Sequence, residues 1–151
     1  MNLSQPGHSI VPGVVPKGTL LYHGTNVSEL PPGPEWLATA PEHSYIFCHN
    51  GFQADEVKRG CWQLTLTTTR PLKVVYFDGS SAAKIPYGSM DTEDLLAWGV
   101  TIPDNAFDER QRVENLCKWG KKLDVDGFVR YNFTASKSSC IECCYIVIGW
   151  K

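Results

Sequence analysis

The stretch "LYHGT", residues 21–25, closes a short apolar run on a histidine, a glycine and a threonine. With the residues before it, "TLLYH" has the composition of a first β-strand. A histidine at a strand end can offer its ring to a ligand, and Gly24 lets the backbone approach closely. The same residues also suit a strand that simply stops, with His23 satisfied by a nearby carbonyl. The neighbouring segments bear on the choice.

Downstream, "VSELPPGPE" is a turn-rich connector, because Pro31, Pro32 and Pro34 forbid a continuing helix. "WLATA" then predicts a short strand, and "PEHSYIFCHNGF" a helix with Pro41 in its first turn. "CWQLTLTTT" alternates Trp62, Leu64 and Leu66 with polar partners and reads as a half-buried strand, ended by Arg70 and Pro71. "LKVVYF" is another strand, running into the turn sequence "DGSSAA". "SMDTEDLLAWG" predicts a short helix capped by Asp91 or Thr92 and stopped at Gly99. "DERQRVENLCKWGKKL" carries the strongest helical pattern, with Val113, Leu116, Cys117 and Gly120 on one stripe and Glu114 four residues before Lys118. "DGFVRYNF" and "CCYIVIGW" supply late strands. Strands toward both ends with helices between them predict an α+β fold on a mixed, mainly antiparallel sheet.

At 151 residues the chain fits one domain, expected over 19–151, preceded by an extended, loosely held arm over 1–18 that is rich in proline and glycine. Fourteen basic and sixteen acidic residues give a net charge of −2, and "GKK" is the densest basic patch. Nucleic acid and anionic membranes are therefore not expected partners, and a small molecule is. The opening "MNLSQPGHSIVPGVVPKG" lacks the pattern of a signal peptide or membrane anchor, so a soluble cytoplasmic protein is expected. The six cysteines are then expected as free thiols, and the C-x-x-C spacing within "CIECC" is half a zinc site at most, so no metal is expected.

"LYHGT" followed by "EWLATAPEHSYIF" resembles the opening of the ADP-ribosyltransferase fold of the H-Y-E type, the group that includes poly-ADP-ribose polymerases and rifampicin ADP-ribosyltransferases. The resemblance implies NAD as substrate. His23, Gly24 and Thr25 match the motif that holds the ribose and the nicotinamide amide. Trp36, Leu37 and Ala38 fall where an aromatic-Phe-Ala strand stands, with tryptophan in place of the usual tyrosine. Tyr45 then corresponds to the tyrosine that stacks on nicotinamide. The third element would be a carboxylate opening a late strand, for which Glu142 is the candidate. Loss of nicotinamide leaves an oxocarbenium-like ribose, whose charge a carboxylate can stabilise while orienting a hydroxyl.

A second set of residues points elsewhere. "YFDGSSAAK" and "LCKWGKKLDVDGFVR" resemble a group of fungal proteins to which no activity attaches. Asp78, Ser80 and Ser81 follow a strand, where loops often carry function, although Asp78 also suits a plain turn. Glu114 can turn inward at a pocket or pair with Lys118 in solvent. Arg130 interrupts an apolar strand: buried, it needs a carboxylate partner or binds a ligand's phosphate or carboxylate, and on an edge it faces water. These residues frame two alternatives to the NAD reading. One is a small-molecule biosynthetic enzyme (hydrolase, cyclase or isomerase) using Asp78, Glu114 and Arg130; the other is a ligand-binding module without catalysis.

Overall fold

A computed structural model describes residues 9–45, 48, 60–77, 90–102, 108–133 and 142–148. Its strands are β1 (Ile10–Val15), β2 (Leu20–Thr25), β3 (Glu35–Ala38), β4 (Trp62–Thr67), β5 (Leu72–Phe77), β6 (Gly127–Phe133) and β7 (Glu142–Ile148). Its helices are α1 (Pro41–Ser44), α2 (Asp91–Trp98) and α3 (Glu109–Lys121). All seven strands join one sheet in the order β1-β5-β6-β7-β3-β2-β4. Among the described strands only β5 and β6 run parallel, and α2 and α3 lie in the connection between them. The fold is thus α+β on a mixed, mainly antiparallel sheet.

Strand alternation divides the core in two. Trp36, Val75, Phe77 and Phe128 pack with Val113 and Leu116 of α3. Val15, Leu21, Leu37, Leu72, Val74 and Val129 form a second cluster. Neighbours on one strand, such as Trp36 and Leu37, therefore serve opposite faces. Gly120 lets α3 settle on β6, because a Cβ there would come within 3.0 Å of the Phe128 ring.

Two local expectations change. Part of the arm, Ile10–Val15, is a strand paired antiparallel with β5 from Ile10↔Phe77 to Val15↔Leu72. Pro12 is tolerated because β1 lies at the sheet edge. In α2 neither Asp91 nor Thr92 caps: Met90 holds the N-cap position at φ 46°, and Asp91 Oδ1 accepts from Thr92 N at 2.8 Å inside the first turn. The stop at Gly99 is as expected, with φ 76° and its N–H bonded to the Leu95 carbonyl.

The site corner depends on α1, a single turn that its own length cannot stabilise. It is clamped from β4: Gln63 Nε2 donates to Pro41 O at 3.0 Å and to Ser44 Oγ at 2.7 Å. It is also seated on Gly24, where an added Cβ would overlap the Ser44 carbonyl and come 3.1 Å from Cys48 Sγ. Gly24→Ala is expected to cost about 2–3 kcal/mol, since the obstacle is backbone. Gly33→Ala, with nothing within 4 Å of the new methyl, is expected to stay within about 0.5 kcal/mol. Urea titration of both variants reads the difference.

Candidate functional site

The end of β2 carries the first candidate group. His23 is half-buried, and its Nδ1 lies 3.0 Å from the carbonyl of Trp36 on β3. A carbonyl only accepts, so Nδ1 holds the proton, and in the neutral ring Nε2 is left as an acceptor. Tyr45 directly follows α1 and is 48% exposed. Thr25 lines a small cavity of about 110 Å³ together with Trp62 and Leu64. Glu142 opens β7, three positions before Tyr145, which pairs with Ala38. Its backbone therefore stands at the end of the sheet where β3 passes into α1. Asp78, Ser80 and Ser81 lie outside the described residues.

Two members of this group have duties the sequence did not suggest. The close approach that Gly24 permits is taken up by α1 itself. Trp36 is buried: its Nε1 donates to Glu109 Oε2 at 2.9 Å, and the Arg130 guanidinium carbon lies 3.8 Å from its ring centroid. One indole face is thus covered by a cation, and Trp36 meets the site through its backbone carbonyl.

Beside this corner lies a buried charge cluster. Arg112 of α3 is fully buried; its Nη2 and Nε donate to Asp94 Oδ1 at 3.0 and 3.2 Å, and its Nη1 donates to Glu109 Oε1 at 3.3 Å. Arg130 is also buried, donating through Nη1 to Glu93 Oε2 at 3.4 Å and to Glu109 Oε2 at 3.1 Å. Asp94 Oδ2 accepts from Ile102 N at 2.9 Å, which ties the chain after α2 into the cluster. The carboxylate requirement of a buried Arg130 is met within the protein. Glu114 instead faces solvent and pairs with Arg110 at 3.6 Å, not with Lys118 as expected. That places Glu114 and Arg130 apart: one in solvent, one in the core, and neither lining the two cavities described.

Glu93, Asp94, Glu109 and Arg112 were not singled out from the sequence. One signal was available: Arg112 stands four residues before Leu116 and eight before Gly120, on the apolar stripe of α3. The cysteine expectation needs correction as well. Cys48 and Cys61 are joined in a disulfide, their Cα atoms 4.8 Å apart. The packing of α1 against the start of β4 brings them together, which spacing could not show. Cys117 is a free thiol, and burial pushes its pKa up.

The family model described as the YPL277C N-terminal domain matches residues 2–63 and 51–136. Two Saccharomyces cerevisiae proteins, the uncharacterized proteins YOR389W and YPL277C, are each 34% identical to this chain over alignments of 164 and 165 residues. Each alignment covers 82% of the chain, but 26% of YOR389W and 34% of YPL277C. The chain therefore spans about a quarter to a third of the length of these relatives. No solved structure matches. The chain belongs to the family of the YPL277C N-terminal domain.

Two outcomes test the site's physical basis. Arg130→Met takes one of the two guanidinium partners from the buried Glu93 and from Glu109, leaving Arg112 to both, and is expected to cost about 3 kcal/mol in urea unfolding, part of it recovered by adding Glu93→Gln. His43, buried in α1, has its pKa lowered from 6.5 by desolvation. As pH falls below 6.5 the unfolded chain takes up a proton that the folded one refuses, so stability falls with it. Tm measured against pH should show a shallower acid-side loss for His43→Gln than for the parent chain.

Proposed function

We propose that this member of the YPL277C N-terminal domain family is an ADP-ribosyltransferase-like domain that takes NAD as substrate. It breaks the nicotinamide–ribose bond and passes ADP-ribose to an acceptor or to water. The observation that carries the reading is the fixed imidazole of His23. Its Nδ1 is pinned to the Trp36 carbonyl at 3.0 Å, which turns Nε2 into an oriented acceptor for a ribose hydroxyl. Tyr45, exposed at the end of α1, supplies a ring for stacking on nicotinamide.

In this reading His23 and Thr25 contact the ribose end of NAD, and Gly24 fixes α1 at the distance that brings Tyr45 alongside. Trp36 serves as the strut behind His23. Nicotinamide departs with the electron pair of the C–N bond, and Glu142 stabilises the positive charge left on the ribose. The acceptor then bonds to the same carbon and gives up a proton to solvent. The register that brings the start of β7 to the α1 end of the sheet supports Glu142 in this role.

Incubation with NAD and chromatographic detection of free nicotinamide tests the reaction. Release is expected from the parent chain, at least tenfold slower from a folded His23→Ala variant. Glu142→Gln should lower turnover by about a hundredfold or more with NAD binding retained. Saturable NAD binding without any release would favour a ligand-binding module. Absence of both binding and release would overturn the proposal.

A further inference from the structure

A second cavity, about 550 Å³ and larger than the one beside Thr25, is not lined by His23, Tyr45 or Trp36. Its apolar wall is built by Leu21, Leu37, Leu66, Leu72, Val125 and Phe128. The volume is in the range of pockets that enclose small organic ligands. Its charged lining consists of Arg70, Asp126 and Lys121. Arg70 and Asp126 cancel each other through two hydrogen bonds, Nη1 to Oδ2 at 2.8 Å and Nη2 to Oδ1 at 2.5 Å. Asp126 is further held by Lys73 N at 2.9 Å. Lys121 has no ion pair among the described residues. At the end of α3, Trp119 O and Gly120 O accept from the N–H groups of Lys122, Leu123 and Val125 rather than from its ammonium. Among the described residues the cavity is therefore largely apolar, with Thr67, Thr68 and Thr69 also in its lining and Lys121 as its one positive charge outside an ion pair.

We propose that this cavity binds a small molecule with an apolar body and a single anionic head group, the head seated at Lys121. The apolar body is buried against the leucines and Phe128, and the anion replaces water at the ammonium. Cys117 also lines the chamber, and as a protonated thiol it adds a soft wall rather than a nucleophile. The inference is independent of the NAD reading, since neither His23, Thr25 nor Tyr45 lines this cavity.

Calorimetric titration with decanoate and with 2-naphthoate, each beside its neutral primary amide, tests the proposal on the full chain. At least one anion is expected to bind about tenfold or more tightly than its amide. Lys121→Gln should erase that preference while leaving amide binding in place. Lys121→Glu should drive anion affinity below that of the amide. Lys121 is exposed on the last turn of α3, so these variants should fold, and unchanged Tm confirms it. Ligand-to-methyl contacts by nuclear magnetic resonance should fall on Leu66 and Val125. Binding without preference for the anion, binding unaltered in Lys121→Glu, contacts elsewhere, or no binding of any probe would each overturn the proposal. Anion binding that persists unchanged in the presence of NAD separates this cavity from the His23 corner, and mutual exclusion would merge the two and overturn the assignment.

Discussion

The Glu109 carboxylate is the interaction on which much of the remaining geometry rests. It accepts from Trp36 of β3, Arg112 of its own helix and Arg130 of β6, at distances between 2.9 and 3.3 Å. These partners lie on separate elements, and Glu109 itself opens α3. A carboxylate at a helix start is already favoured by the local peptide dipoles. Here it also neutralises guanidinium groups that burial alone would make prohibitively costly. Asp94 and Glu93 extend the same logic to α2, so one charge cluster sets how both helices sit on the sheet.

This arrangement gives directional fixity rather than large net stability. A buried ion pair gains little over well-packed apolar side chains, because desolvation offsets most of the Coulomb attraction. Its geometry is far less permissive, however. An apolar contact tolerates sliding, whereas Arg112 must meet Asp94 and Glu109 together, and Arg130 must stay over the Trp36 ring while reaching Glu93 and Glu109. The cluster thus selects one placement of α2 and α3 among several that the apolar stripe of α3 would accept.

Much of the sheet was legible because its signal is local. β4 shows period-two alternation, β5 is a compact apolar run between turn residues, and β2 and β3 are short strands bounded by prolines and glycine. β1 was obscured by Pro12 and Gly13, which read as loop residues until an edge position makes them acceptable. Arg130's need for a carboxylate was readable from an apolar strand interrupted by a guanidinium. Its partners were not, since Glu93 and Glu109 stand 37 and 21 residues away and only the crossover through α2 and α3 brings them in. The Cys48–Cys61 bridge was hidden for the same reason. At the His23 corner the motif showed that a strand ends near His23, but not that Gly24 seats a helix or that Trp36 turns its indole into the core.

Trp36 joins the charge cluster to that corner. Its carbonyl holds His23 Nδ1 on one side of the strand edge, and its indole is held by Glu109 and Arg130. A tyrosine at this position would lack the indole N–H at the place where Glu109 accepts it, so the tryptophan fits a wall rather than a ligand platform. The imidazole's orientation consequently depends on charges that never touch it. If the cluster relaxes, β3 loses a side-chain anchor, and its pairing with β7 and β2 alone is left to hold the Trp36 carbonyl that His23 Nδ1 meets. The precision of the exposed corner is therefore a property of the buried core behind it, transmitted through one side chain and its own carbonyl.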